Sequence, residues 1–132
     1  MTQTPAKWTF AFLATWLLVL TCMASLAEDD DPNALNGQVN QLIEQGKYQA
    51  TIPFAERAVD VAKRVRGLDE PETAEALNNL ALLFQNTSDY AKAEPLFQEA
   101  LRIRQKVLGP EHPNTATSLD DLGQSEARCT VR

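Results

Sequence analysis

The chain has 132 residues, 44% of them hydrophobic, and carries 12 basic against 18 acidic side chains, for a net charge of −6. This length holds one domain at most. The acidic balance argues against nucleic acid and anionic membrane surfaces as partners, because both require a basic surface.

The first 27 residues have the composition of a secretory signal peptide. Lys7 precedes an apolar run over residues 8–20, and Ser25 and Ala27 provide small side chains at the two positions that define a cleavage site. An acidic linker, residues 28–32, follows. We therefore predict cleavage near Ala27 and export, to the periplasm or outside the cell.

Two alternatives to a cleaved signal peptide remain open. The apolar run is shorter than the ~20 residues of a membrane-spanning helix, but including residues 21–26 would allow an uncleaved anchor. Lipid attachment at Cys22 is less favoured, since Thr21 is larger than the residue expected before such a cysteine. After cleavage the net charge changes from −6 to −7 through loss of Lys7, and Cys129 is the sole cysteine, so no internal disulfide can form.

The rest of the chain repeats itself at a spacing of 42 residues. Residues 46–81 and 88–123 share ten identities in 36 aligned positions, against about two expected by chance. The identical pairs include Tyr48 and Tyr90, Pro53 and Pro95, Ala58 and Ala100, Gly67 and Gly109, Pro71 and Pro113, Thr73 and Thr115, and Leu77 and Leu119. A period of this length indicates stacked supersecondary units that cannot bury their apolar faces alone.

Each unit has the pattern of two helices, which predicts five helices and no strands. Apolar residues recur every three or four positions, prolines stand at helix starts and glycines at helix ends. In chain order, helices are expected over 33–45, over 48–66, from 71 to about 86, over 90–107, and from 113 to 123. The fold class is therefore an all-α solenoid of about two and a half units over residues 33–125.

Three local features qualify this assignment. Pro53 and Pro95 lie about five residues inside their helices, so we expect a late helix start or a slight kink. Residues 86–89 are expected to supply an oxygen that caps the fourth helix. Residues 126–132 lack apolar periodicity and are predicted to be a polar tail, either frayed or the remnant of a longer array.

The residues of the second unit resemble the tetratricopeptide repeat family, in its 42-residue variety found in kinesin light chains. The resemblance covers residues 33–123 and is strongest at Ala76-Leu77-Asn78-Asn79-Leu80-Ala81, Ala93-Glu94-Pro95-Leu96-Phe97, and Leu108-Gly109-Pro110-Glu111-His112-Pro113. It is weaker in the first unit, where Gln38 stands in place of Leu80, which suggests a capping repeat. Small side chains at Ala81, Ala93 and Ala100, and the rings of Phe84, Tyr90 and Phe97, are expected to form the core.

The resemblance implies a right-handed stack whose first helices line a concave groove that binds a peptide or a partner helix. Carboxamides suit this task, because an extended peptide backbone requires both donors and acceptors. The groove positions map to Asn36, Asn40, Glu44, Glu75, Asn78, Leu82, Gln85, Asn86, Asp120 and Gln124. The competing interpretation is an ordinary solvated helix face. Since the set contains no lysine or arginine, a basic or neutral peptide is favoured over an acidic one.

Catalysis is not indicated by any residue pattern. His112, the single histidine, lies in the turn before Pro113, where it has no nucleophile or metal-ligand partner at a recognised spacing and is expected to cap the fifth helix. Cys129 is a lone thiol in the polar tail. We expect no enzyme activity, no cofactor, no metal and no small-molecule substrate.

The sequence thus predicts a non-catalytic protein-interaction module with a protein or peptide partner. One alternative is a structural fragment of a longer repeat protein without its own partner. Another is an accessory subunit of an exported complex.

Overall fold

The computed structural model describes residues 31–131, and this part of the chain folds into five α-helices. The helices are α1 (Pro32–Glu44), α2 (Tyr48–Val65), α3 (Pro71–Asn86), α4 (Tyr90–Val107) and α5 (Pro113–Thr130). The predicted all-α repeat fold is confirmed, and most helix ends agree with prediction within two residues. The proposed signal peptide, residues 1–27, lies outside the described residues, as does most of the acidic linker.

The first turn of each unit requires a left-handed backbone residue. Gly46 has φ of 72° after α1, and Ser88, which occupies the same repeat position after α3, has φ of 66°. Glycine adopts this conformation without steric cost, whereas in serine the Cβ comes too close to the backbone and makes it unfavourable. Gly109, predicted to end α4, likewise has a positive φ of 90°.

The second turn of each unit is tied to the helix that follows it. Thr73 Oγ1 donates to the Gly67 carbonyl at 2.6 Å, and Thr115 Oγ1 donates to the Gly109 carbonyl at 2.8 Å. His112 Nδ1 accepts a hydrogen bond from the Asn114 amide at 3.1 Å, which confirms the predicted cap of α5. The repeated threonines therefore fix the angle at which each new unit begins.

The expected late helix start at the two prolines and the expected α4 cap are wrong, while the slight kink at the prolines stays a prediction. Pro53 and Pro95 lie inside helices that begin at Tyr48 and Tyr90, so a late helix start is wrong. Both prolines are exposed, so the backbone carbonyl left without an N–H partner one turn earlier can bond to water. Asp89 provides no side-chain cap, and its carboxylate instead pairs with Lys92 at 2.8 Å.

The helix α3 lies at the centre of the stack, in contact with α1, α2 and α4. Alanines at contact positions let the helix backbones approach closely, and Phe97 fills the space beside them. The predicted core is confirmed for Ala81, Ala93, Ala100, Phe84 and Phe97, which are all buried, while Tyr90 is half-buried.

The helix α5 continues beyond the predicted end of the repeat. It reaches Thr130, so residues 126–130, expected to be a polar tail, are helical. Thr130 Oγ1 donates to the Glu126 carbonyl within this last turn, and Ser125 is 1% exposed. The absence of apolar periodicity did not prevent a helix, because Glu126, Ala127 and Arg128 have good helix propensity.

Candidate partner-binding site

A cleft of about 560 Å³ opens where the starts of α3 and α5 lie beside the end of α4. Its walls are mainly polar side chains, with carboxamides, two carboxylates and one guanidinium. The lining residues are Asn33, Pro71, Glu72, Glu75, Asn78, Arg104, Leu108, Asn114 and Thr117. The cleft thus offers hydrogen-bond donors and acceptors of the kind that an extended peptide requires.

Arg104 forms the floor of this cleft and joins α4 to α5. Arg104 is 9% exposed, and its guanidinium donates to the Asn114 carbonyl at 3.2 Å and to the hydroxyl of the fully buried Ser118. No carboxylate in residues 31–131 forms an ion pair with it. Burial lowers the pKa of Arg104, and the charges of Glu75 and Asp121 act in the opposite direction.

Asn78 connects α3 to α5 across the same cleft. Its Nδ2 donates to Asp121 Oδ2 at 3.3 Å. Its Oδ1 is buried and has no hydrogen-bond partner in the described part of the chain. Burial raises the pKa of Asp121; the bond from Asn78 and the charge of Arg104 lower it, while the charge of Asp120 raises it. Asn78 Oδ1 therefore lacks a hydrogen-bond donor, and the Asp121 carboxylate is incompletely compensated for its burial.

Replacing Asp121 by asparagine is expected to raise the melting temperature at pH 7 by on the order of 2 °C. The folded-state pKa of Asp121 lies above its unfolded value. The stability that this difference provides is therefore present at low pH and is lost as pH rises through the folded pKa. Asparagine removes the buried charge but still accepts from Asn78. Thermal unfolding at pH 7 and about pH 3 should show a gain only at pH 7.

The matched control for this substitution is Asp60→Asn, on the exposed face of α2. It changes the net charge equally and should leave the melting temperature nearly unchanged at both pH values. An equal gain from the two substitutions would mean that total charge, rather than burial of Asp121, limits stability.

The predicted groove residues fall into three groups. Asn36, Asn78 and Gln85 are buried at 3%, 7% and 7% exposure, and Leu82 is half-buried. The exposed members are Asn40, Glu44, Glu75, Asn86, Asp120 and Gln124. Of the whole set only Glu75 and Asn78 line the cleft. Asn86 bonds to the Leu82 carbonyl of its own helix at 2.8 Å, and Gln124 bonds to Asp120 at 2.9 Å.

Several cleft residues were not among the predicted ones, most notably Arg104. The 42-residue register nevertheless distinguishes Arg104 from its counterpart one repeat earlier. Arg104 lies one repeat after Ala62 of α2, and Ser118 lies one repeat after Ala76 of α3; both alanines are buried. Two polar residues at positions that are otherwise apolar and buried indicate a paired contact between α4 and α5.

The outer face of α5 is open. Leu119 is 59% exposed, although its repeat counterpart Leu77 is completely buried beneath the neighbouring helices. A shallow depression of about 520 Å³ lies along this face, lined by Ala116, Leu119, Asp120, Gly123, Gln124 and Ala127. Asp120 and Gln124 therefore lie on the open end of the stack, away from the cleft.

Residues 31–131 lack the features of a metal site or a membrane span. No group of three or more histidine, cysteine, aspartate or glutamate side chains is placed to hold a metal ion. In the same range no helix has the length and apolarity needed to cross a membrane. Cys129 is a free thiol at the exposed end of α5.

Comparison with known proteins gives a family match and a structural match. The family model described as "Tetratricopeptide repeat" matches residues 30–106 and again residues 72–128. The crystal structure of BtubC (BKLC) from P. vanneervenii superposes with a TM-score of 0.65 and 24% sequence identity. The superposition covers 72% of this chain and 39% of BtubC, so the chain spans less than half of that protein's length. A search of curated proteins finds no match.

Proposed function

Because the chain belongs to the tetratricopeptide repeat family, we propose that it is a non-catalytic interaction module that binds a peptide segment of a partner protein in the cleft. The single observation that carries the proposal is the polar cleft at the starts of α3 and α5. Peptide recognition requires donors and acceptors that the protein's own fold has left available. The exposed residues Asn33, Asn114 and Thr117 supply amides and a hydroxyl to the cleft lining, and the buried Asn78 Oδ1 has no partner within residues 31–131.

We also propose that residues 1–27 export this module to the periplasm or the cell exterior, with the uncleaved anchor as the alternative. The composition of residues 8–27 supports this proposal. Mass spectrometry of the mature N-terminus tests it, since a chain that still begins at Met1 would contradict cleavage.

Blocking the cleft should weaken peptide binding while leaving the fold intact. Thr117 is exposed on α5 and lines the cleft, so Thr117→Trp would fill it with an indole ring. Twelve-residue random peptides displayed on phage and selected on the full-length chain provide the probes. The selected peptides should bind Thr117→Trp at least about tenfold more weakly by fluorescence anisotropy.

The control is Gln105→Trp, which adds the same ring to an exposed position of α4 that does not line the cleft. Circular dichroism should report the same helix content for both variants. Peptides that bind Thr117→Trp as tightly as the parent chain would place the binding surface elsewhere and reject the cleft.

A second candidate is a structural unit that stacks on further helices and has no peptide partner. The exposed Leu119 face favours it, since the same position in α3 is buried by packing. Failure of the folded chain to select any peptide would support this candidate over the first.

A further inference from the structure

We infer that the cleft recognises a lysine or arginine side chain of the bound peptide, through the carboxylates of Glu72 and Glu75 and the amide oxygen of Asn78. This inference rests on the proposed function and specifies the chemistry of its partner. No residue outside the cleft is required for it.

The three residues lie close together along one helix. Glu72, Glu75 and Asn78 follow each other at intervals of three in α3, and all line the cleft. Within residues 31–131, neither glutamate has an ion-pair partner, whereas Asp69 pairs with two basic side chains and Glu99 pairs with Lys63 at 3.5 Å. The positive end of the α3 helix dipole stabilises the charge of Glu72, which lies in the first turn. It does not stabilise the charge of Glu75, which lies beyond that turn.

The orientation of Asn78 gives an independent indication of a donor on the ligand. Asp121 accepts through its carboxylate, so the Asn78 amide must direct Nδ2 towards it, and Oδ1 remains as an acceptor. This oxygen is buried without a partner, on a side chain that is 7% exposed. A buried carbonyl oxygen gains free energy from an N–H donor. An ammonium or guanidinium group supplies several such donors at once.

The charges around the cleft also favour a cation. Arg104 is the single cation among the lining residues, which include the carboxylates of Glu72 and Glu75, and it interacts electrostatically with Glu75 and with Asp121. Part of its donor capacity is already used by the Asn114 carbonyl and Ser118. The excess of carboxylates disfavours an acidic peptide, and the net charge of −6 attracts basic ones over a longer range.

The cleft can also accommodate the apolar part of a basic side chain. Pro71 and Leu108 belong to its lining. The methylene stem of a lysine or arginine can pack on such apolar surface while its charged end reaches the carboxylates.

The test selects twelve-residue random peptides, displayed on phage, on the full-length chain and on the Glu72→Gln/Glu75→Gln variant. Peptides selected on the parent chain should share lysine or arginine at one recurrent position. Replacing that basic residue of the peptide by glutamine should weaken its binding to the parent chain about tenfold. The unchanged peptide should bind the Glu72→Gln/Glu75→Gln variant more weakly by a similar factor. The glutamine peptide should bind the double variant no more weakly than either change alone predicts, since both changes remove the same contact.

The control variant Glu111→Gln/Glu126→Gln makes the same charge change at two exposed positions outside the cleft. It should weaken binding less than about twofold. Selected peptides without a recurrent basic residue, or equal losses in the two double variants, would overturn the basic subsite and leave peptide binding standing. Selection of no peptide by the folded chain would instead reject the proposed function itself.

Discussion

Replacing Phe97 by alanine is expected to remove about 3–5 kcal/mol of unfolding free energy. Phe97 is the largest side chain that is completely buried in the described chain, and it lies on α4 within the shared core of the stack. Domains of this size have about 5–15 kcal/mol of stability in total. The variant should therefore unfold at a much lower urea concentration, or be largely unfolded in buffer, as measured by circular dichroism.

Phe54→Ala provides the matched control for this prediction. The substitution removes the same ring from α2, but Phe54 is 51% exposed. The loss of unfolding free energy should therefore stay below about 1 kcal/mol. Similar urea midpoints for the two variants would show that α4 does not pack on the core through Phe97.

Replacing Arg104 by alanine is expected to destabilise the contact between α4 and α5 by about 1–3 kcal/mol. The substitution leaves the Asn114 carbonyl and the buried Ser118 hydroxyl without their donor. Because α5 is the last helix and packs mainly against α4, its backbone amides should exchange with deuterium faster than those of α3. Hydrogen exchange followed by mass spectrometry resolves the two helices.

The double variant Arg104→Ala/Ser118→Ala separates loss of the hydrogen bonds from loss of volume. It reproduces the pair of alanines, Ala62 and Ala76, that occupies the same positions one repeat earlier. The α5 amides of the double variant should regain part of their protection from hydrogen exchange, since the buried Ser118 hydroxyl that lacked a partner has been removed. Unchanged exchange in α5 of the single variant would mean that Arg104 does not hold this helix.

The helices could be predicted closely from sequence because their determinants are local. Proline at the starts of α3 and α5, and glycine after α1 and α4, act through the backbone within one turn. The 42-residue register then supplied the helix count and the core positions. The cap of α4 was predicted wrongly because Asp89 could pair either with the backbone or with Lys92, and the ion pair with Lys92 formed instead.

The binding surface was less predictable, as Asn36 and Gln85 illustrate. Both occupy first-helix positions that the repeat pattern assigns to a groove, and both are buried. Their exposure depends on how closely the neighbouring helices approach, which no local pattern encodes. The predicted set also stopped at the first helices, whereas Arg104 reaches the cleft from α4.

The sequence by itself determined the five helices, their repeat and the apolar faces that stack, because helix periodicity and end residues act over a few neighbouring positions. Only the tertiary structure decided which polar side chains share one cleft. Glu75, Arg104 and Asn114 belong to three different helices, and their meeting depends on the angle and distance between those packed helices. Among residues 31–131 that geometry also left Asn78 Oδ1 without a partner, and this unpaired acceptor supports the proposed peptide binding.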